Sequence, residues 1–149
     1  MATWQQWLGK GDVKTHQTSK QEIDNLRALI ERDLADAAIS ELSADRRFAT
    51  AYNAALQVGT IAIACSGYRV TARTGHHKVT FEAAAVALGT EAVALSDYFD
   101  TCRRKRNVID YMTSSVATDT ESEEIVQKAN EFRTLVEKWL RAKYPAVAS

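Results

Sequence analysis

The chain is poor in the residues that an all-β or a disulfide-stabilised protein needs. Its 149 residues include one proline, six glycines and two cysteines. So few prolines and glycines do not suit the many tight turns of an all-β fold, and two cysteines do not make a disulfide framework. A chain of this length can bury a core without such cross-links. The composition therefore predicts a single helical domain over residues 1–149.

The chain also lacks net charge and a long hydrophobic run. Its 19 Lys and Arg residues balance 19 Asp and Glu residues, so no overall field draws it to nucleic acid or membranes. The longest apolar-rich stretch, 54–65, is too short to span a bilayer. The first twelve residues lack the charged start and apolar run of a signal peptide. We therefore expect a cytoplasmic protein that makes no membrane contact.

The charge that is present is unevenly distributed. Residues 101–116 hold four basic groups and one acidic group, a net charge of +3. Residues 117–131 hold five acidic groups and one basic group, a net charge of −4. The strongly basic segment is therefore the first place to look for a phosphate-binding surface.

Apolar residues recur at helical spacing in four long segments and one short segment. We predict long helices over about 19–39, 43–66, 91–113 and 120–144, and a short helix over about 78–88. Ser19 with Glu22, and Thr120 with Glu123, have the spacing of capping boxes, and either Ser43 or Asp45 caps the second helix. The pattern predicts an all-α fold, an up-and-down four-helix bundle with an additional short helix.

Four expectations concern the remaining segments and the core. Residues 1–18 are predicted to form an N-terminal extension, in which a helical turn with two tryptophans packs on the bundle and a linker follows. Residues 68–77 (YRVTARTGHH) are predicted to be a loop, because their apolar alternation is too short for a strand. Cys65 and Cys102 are predicted to be buried free thiols. The apolar seam of the fourth long helix is predicted to contain Leu95, Tyr98, Cys102, Ile109 and Met112.

A polar stripe on the fourth long helix is the main candidate site. On a helical wheel, five residues share one face beside the apolar seam: Arg103, Arg106, Asn107, Asp110 and Tyr111. Guanidinium groups bind phosphate oxygens bidentately, a carboxamide can bond a ribose hydroxyl, and a tyrosine ring can stack on a base. The stripe therefore predicts a phosphodiester or nucleotide ligand. A solvated basic face near a helix C-terminus is the alternative interpretation.

His76 and His77 are the other candidates for chemistry. They stand just before the short helix, where they could border the same cleft, and the alternative is that they only cap the helix or pack in the loop. The three histidines and two cysteines lack the paired spacing of zinc ligands. We therefore predict no metal site and no cofactor.

At these residues the sequence resembles a known family. The stretch RRKRNVIDY over 103–111, followed by a loop and the amphipathic segment EEIVQKANEFRTLVEKWL over 123–140, resembles the HEPN domain family. Upstream, the elements ERDLADA, DRRFATAYNAAL, SGYR and GHH extend the likeness over most of the chain. It is most similar to a bacterial HEPN branch that carries the GHH element.

The resemblance implies a role in RNA biology. Many HEPN proteins are metal-independent ribonucleases in which two protomers pair so that both motifs line one cleft, and others bind RNA or nucleotides without cutting. Several are toxins encoded beside nucleotidyltransferase-like antitoxins, or parts of anti-phage systems. We therefore expect a homodimer that engages RNA, either as such a ribonuclease or as a non-catalytic module that binds RNA, a nucleotide or a nucleotidyltransferase-type partner. A purely structural dimer is the third alternative.

The family motif maps onto the polar stripe. The motif arginine is Arg106, its polar follower is Asn107, and the position of the family's histidine holds Tyr111. These three are the expected catalytic residues, and the expected substrate contacts are Arg103, Asp110, His76 and His77. Because free tyrosine titrates around pH 10, it is a poor base at neutral pH. Proton transfer is therefore assigned to Tyr111 or to a histidine of the GHH element.

Overall fold

The computed structural model describes the backbone of residues 2–73, 75–111 and 115–148, and the side chains of all of these except Asp110 and Tyr111. Within these ranges the chain forms seven α-helices and two short strands: α1 (Trp4–Lys10), β1 (Val13–Thr15), α2 (Lys20–Ala37), α3 (Ala44–Cys65), β2 (Tyr68–Val70), α4 (His76–Leu88), α5 (Val93–Tyr111), α6 (Asp119–Lys143) and α7 (Pro145–Ala148). A single 3-10 turn, Thr90–Ala92, leads into α5. The predicted all-α class is confirmed.

Helix α3 is the centre of the bundle and packs against α2, α4, α5 and α6. It is rich in alanine, and the side chains of Ala51, Ala54, Ala55 and Ala62 are buried. At Gly59 a Cβ atom would lie 3.3 Å from the Thr80 side chain of α4, so the missing side chain permits close packing of these two helices. Among the described helices α3 alone has the length and apolar character to cross a bilayer, and most of its apolar stretch is buried inside the bundle.

Phe99 anchors α5 in this core. Its side chain is 0% exposed, and its ring lies 5.4 Å from the Phe81 ring of α4 and 5.6 Å from the Phe132 ring of α6. The predicted seam omitted Phe99. Of the predicted residues Cys102 is buried, Leu95, Tyr98 and Ile109 are only partly buried, and Met112 lies outside the described residues. Phe99 is therefore the most deeply buried residue of the described part of α5, and Leu95, Tyr98 and Ile109 pack beside it at the edge of the core. The pattern pointed to Tyr98 instead of its neighbour Phe99, because both aromatic residues lie at helical spacing from Leu95 and Cys102.

Two short strands occupy segments for which a linker and a loop were predicted. Strand β1 pairs antiparallel with β2, with Val13 opposite Val70 and Thr15 opposite Tyr68. Val13 is buried together with Trp7 of α1. The linker predicted within 1–18 was wrong at 13–15, and the loop predicted over 68–77 was wrong at 68–70 and at 76–77, where α4 begins. Three-residue strands carry too little alternation to be recognised and form only when a distant partner supplies the hydrogen bonds.

The starts of α2 and α6 differ from the predicted capping boxes. Ser19 Oγ accepts the N–H of Glu22 at 3.2 Å, but the Glu22 carboxylate bonds His16 and Thr18 instead of closing a box. At α6 the reciprocal pair is Thr118 with Glu121, each bond being 3.0 Å long. The predicted box was two residues too late, because the sequence TDTESE contains the same spacing twice.

At the start of α3, the choice between two caps is resolved. The hydroxyl of Ser43 accepts the N–H of Arg46 at 3.1 Å and caps the helix. Asp45 instead accepts the backbone N–H groups of Val116 and Ala117, at 2.9 and 2.7 Å. The segment that leads into α6 is thereby held against the start of α3.

Candidate functional site

One groove brings together residues of α4 and α5 that the sequence singled out. It has a volume of about 470 Å³, and the side chains along it are Arg73, His76, His77, Arg103, Arg106 and Asn107. The two histidines are the first residues of α4, which packs against α5. We call this site the guanidinium groove. Two further predicted residues, Asp110 and Tyr111, have side chains outside the described part of the chain.

Arg106 is positioned by the central helix α3. Its Nη2 donates to Asn53 Oδ1 at 3.4 Å, and its Cζ lies 5.8 Å from the centre of the Tyr52 ring. A guanidinium over an aromatic face is attracted to the ring's negative quadrupole. These contacts restrict where a half-buried cation can lie, so Arg106 meets a ligand with little loss of side-chain freedom.

Arg103 is held by a residue of its own helix. Its Nε donates to Asp100 Oδ1 at 3.1 Å, one turn earlier in α5, and the side chain is 23% exposed. By contrast, Arg104 is exposed and does not line the groove, and Lys105 forms an ion pair with Glu121 at 2.7 Å. The basic segment therefore divides into two arginines that line the groove and two cations that point elsewhere.

The tautomer of His76 follows from its contact with the backbone. Nδ1 lies 2.9 Å from the carbonyl oxygen of Arg73, which can only accept a hydrogen bond. The proton of a neutral His76 is therefore on Nδ1, and Nε2 carries the lone pair. The same carbonyl accepts the His76 backbone N–H at 3.0 Å, which fixes the residue at the start of the helix. His76 is exposed, so Nε2 can reach a ligand.

His77 differs from its neighbour because it is partly buried. Burial, reinforced by the charges of His76, Arg106 and Arg103, lowers the pKa of His77 to about 4. Its Nδ1 lies 3.3 Å from the hydroxyl of Tyr52, whose own pKa is raised, chiefly by burial. The phenol therefore stays protonated, and its O–H donates a hydrogen bond to the neutral imidazole. At pH 7, His77 is a neutral support for the groove and contributes no positive charge.

The sequence did not indicate three of the residues that build the groove. Arg73 lines it, and its Nη1 donates to the Lys10 carbonyl and lies 3.8 Å from Asp12, so it ties the end of α1 to the site. Tyr52 sits in the apolar pattern of α3 and resembles an ordinary core residue, and Asn53 is a partly buried polar residue beside it. Only Arg73 carried a usable signal, since it stands two residues before the GHH element.

The groove presents cationic and neutral donors, a set that suits an anion with several oxygens. Among the residues that the structure describes, no group of three or more His, Cys, Asp or Glu side chains is placed to hold a metal ion. Cys102 is buried and Cys65 partly buried, and burial raises the pKa of each thiol to about 11. Neither thiol is therefore a ready nucleophile at neutral pH.

Comparison of the chain with models of protein families, with curated proteins and with solved structures finds no match.

Proposed function

We propose that this protein binds the phosphodiester backbone of RNA in the guanidinium groove and cleaves it there without a metal. The observation that carries the proposal is the joint position of two arginines, a carboxamide and an imidazole of defined tautomer on one groove of about 470 Å³. Arginine matches phosphate in charge and geometry. An imidazole whose Nε2 carries the lone pair can accept a proton from a hydroxyl group.

Each residue has a stated role in the proposed reaction. His76 Nε2 takes the proton of the ribose 2′-hydroxyl, and the 2′-oxygen attacks the adjacent phosphorus. The bond from phosphorus to the 5′-oxygen breaks, the products are a 2′,3′-cyclic phosphate and a 5′-hydroxyl, and the leaving oxygen takes its proton from solvent in the open groove. Arg103 and Arg106 stabilise the additional negative charge on the phosphate oxygens, while Asn107 bonds a ribose hydroxyl.

The likeness to HEPN proteins supports the same proposal from the sequence. We extend the proposal on this likeness: the protein acts as a toxin or an anti-phage factor, as a homodimer and with a nucleotidyltransferase-type antitoxin as a partner. Tyr111 stands at the position of the family's histidine. In the proposed reaction His76 of the GHH element, and not Tyr111, accepts the proton.

A second candidate function is binding without cleavage. It is favoured by the neutral state of His77, whose low pKa and bond to Tyr52 keep it from acting as a cationic acid at pH 7. A protein with one competent imidazole and two arginines can hold RNA or a nucleotide and position it for a partner enzyme.

The test is an incubation of a mixed RNA pool with purified protein in the presence of a chelator. Wild type is compared with Arg106→Ala, His76→Ala and Tyr111→Phe, and the matched control is Arg104→Ala, which removes an exposed arginine of the same helix. We expect wild type, Arg104→Ala and Tyr111→Phe to release 2′,3′-cyclic ends. Arg106→Ala removes a donor that stabilises the phosphate charge, and His76→Ala removes the general base. Each should slow cleavage by about 100-fold or more.

The alternatives give different results in the same assay. Salt-sensitive binding without cleavage, weakened by Arg106→Ala and not by Arg104→Ala, supports the binding module. If the folded wild type neither binds nor cleaves RNA, an RNA function for the groove is rejected. Circular dichroism of every variant separates a lost site from a lost fold.

A further inference from the structure

A second cavity adjoins the guanidinium groove at His76. It has a volume of about 400 Å³ and is formed by residues of α2, α3, β2 and α4. His76 is part of the wall of both spaces. The two spaces are therefore neighbours that share one imidazole as a common wall.

The walls of the second cavity combine an apolar floor with a polar rim. Ile63 and Ala64 line it and are buried, and they form its apolar floor. Tyr68 also lines it, and the Tyr68 ring is held in place by Trp4, whose ring stacks on it at 4.3 Å with the planes 7° apart. Glu22 lies among the polar groups of the lining. A flat aromatic ring with donors and acceptors at its edge matches such walls, whereas a lone phosphate has no use for an apolar floor.

The strand pair beside this cavity carries an unusual charge arrangement. Lys14 of β1 stands directly opposite Arg69 of β2, and both side chains are exposed. Side chains of opposite residues in an antiparallel pair lie on the same face, where two like charges repel each other. An anion between them removes this repulsion. Because Arg69 also lines the second cavity, that anion would lie at the edge of the same space.

We infer that the second cavity is a nucleobase site, which holds the base of the nucleotide next to the phosphate in the guanidinium groove, and that Lys14 and Arg69 bind the following phosphate. This inference rests on the proposed function of the groove. It adds that the protein recognises at least two consecutive phosphates and the base between them, so the ligand is single-stranded RNA whose base is free to turn into the protein.

Thr60 offers a test that changes the cavity and leaves the groove intact. It is an exposed residue of α3 that lines the second cavity and not the groove. Thr60→Trp fills the cavity, and Thr60→Ala is the matched control that leaves it open. The probes are a fluorescein-labelled 2′-fluoro RNA hexamer of random sequence, which cannot be cut because it lacks the 2′-hydroxyl, and the same hexamer without bases.

Fluorescence anisotropy gives the Kd of each hexamer. For wild type and Thr60→Ala we expect the hexamer with bases to bind about tenfold more tightly than the one without. In Thr60→Trp this ratio falls to about one, while binding of the hexamer without bases is unchanged. Arg69→Ala weakens both hexamers and lowers the slope of log Kd against log salt by about 0.7. Arg141→Ala, an exposed arginine of α6 outside both linings, does neither.

Each outcome separates the inference from the function on which it rests. If Thr60→Trp keeps the tenfold ratio, the base lies elsewhere and the inference is overturned, while binding that depends on Arg106 still supports the function of the groove. If folded wild type binds neither hexamer, the proposed function fails and the inference fails with it. If the affinity ratio falls to one in Thr60→Trp but Arg69→Ala binds both hexamers as wild type does, the base site is supported and the second phosphate contact is rejected.

Discussion

Acidification from pH 7 to pH 5 should destabilise this protein through His77. In the folded chain burial and neighbouring positive charge hold the pKa of His77 at about 4. In the unfolded chain an imidazole titrates near pH 6.5. Between these two values the unfolded chain binds more protons than the folded chain, so the free energy of unfolding falls as the pH falls through this window.

The size of the effect follows from the two pKa values. At pH 5 the unfolded imidazole is almost fully protonated and the folded one is almost fully neutral. Relative to pH 7, the full shift corresponds to a loss of about 2 kcal/mol in the free energy of unfolding. His77 is only partly buried, so water screens part of this difference. The expected loss is therefore about 1 kcal/mol.

The assay compares wild type with His77→Asn. Asparagine does not titrate, and its amide can take the place of Nδ1 opposite the Tyr52 hydroxyl. Urea denaturation is followed by tryptophan fluorescence at pH 7, 6 and 5, and wild type should lose about 1 kcal/mol more than the variant over this range. Other groups with shifted titration, such as Glu22, whose pKa is lowered mainly by its bond to Thr18, are present in both proteins and cancel in the difference.

Equal losses in the two proteins would refute this reasoning. They would mean that His77 binds its proton equally well in the folded and unfolded chains, so that neither burial nor the arginines of the groove act on it. The assignment of His77 as a neutral support would then be wrong, and a cationic His77 would become available to bind phosphate.

Two further predictions test the packing of α5 and the start of α6. Phe99→Ala should lower the free energy of unfolding by about 4 kcal/mol, because it leaves a cavity between the rings of Phe81 and Phe132. Leu95→Ala should lower it clearly less, because Leu95 is only partly buried. Equal losses in urea denaturation would contradict the deeper burial of Phe99. Thr118→Ala should lower the free energy of unfolding by about 1 kcal/mol, because the helix loses its cap. Thr120→Ala should lower it by less than about 0.5 kcal/mol. The reverse order in thermal melts would mean that Thr120 and Glu123 form the capping box.

The polar stripe of α5 could be predicted because its geometry is local. Arg103, Arg106 and Asn107 are three and four residues apart, and the helical repeat alone puts such residues on one face. The role of each side chain depends on residues far away in the chain. Asn53 and Tyr52 hold Arg106 across 53 and 54 positions, and no periodicity in α5 indicates them.

The helix starts and the apolar register show the same division. The sequence around 118–123 contains two overlapping capping patterns, and in α5 the neighbouring residues Tyr98 and Phe99 both fit the helical spacing of the seam, so local chemistry permits either choice. Packing selects between them: Phe99 fits between Phe81 and Phe132, and Asp45 holds the segment before Thr118.

By itself the sequence determined the helical class, the approximate extent of the long helices and the stripe of cations on α5, because each depends on the repeat of a single helix. Only the tertiary structure decided that β1 pairs with β2, that Arg73 and the two histidines meet that stripe, and that His76 stands between two cavities. These features depend on contacts between residues remote in the chain, and such contacts form only when the whole core packs.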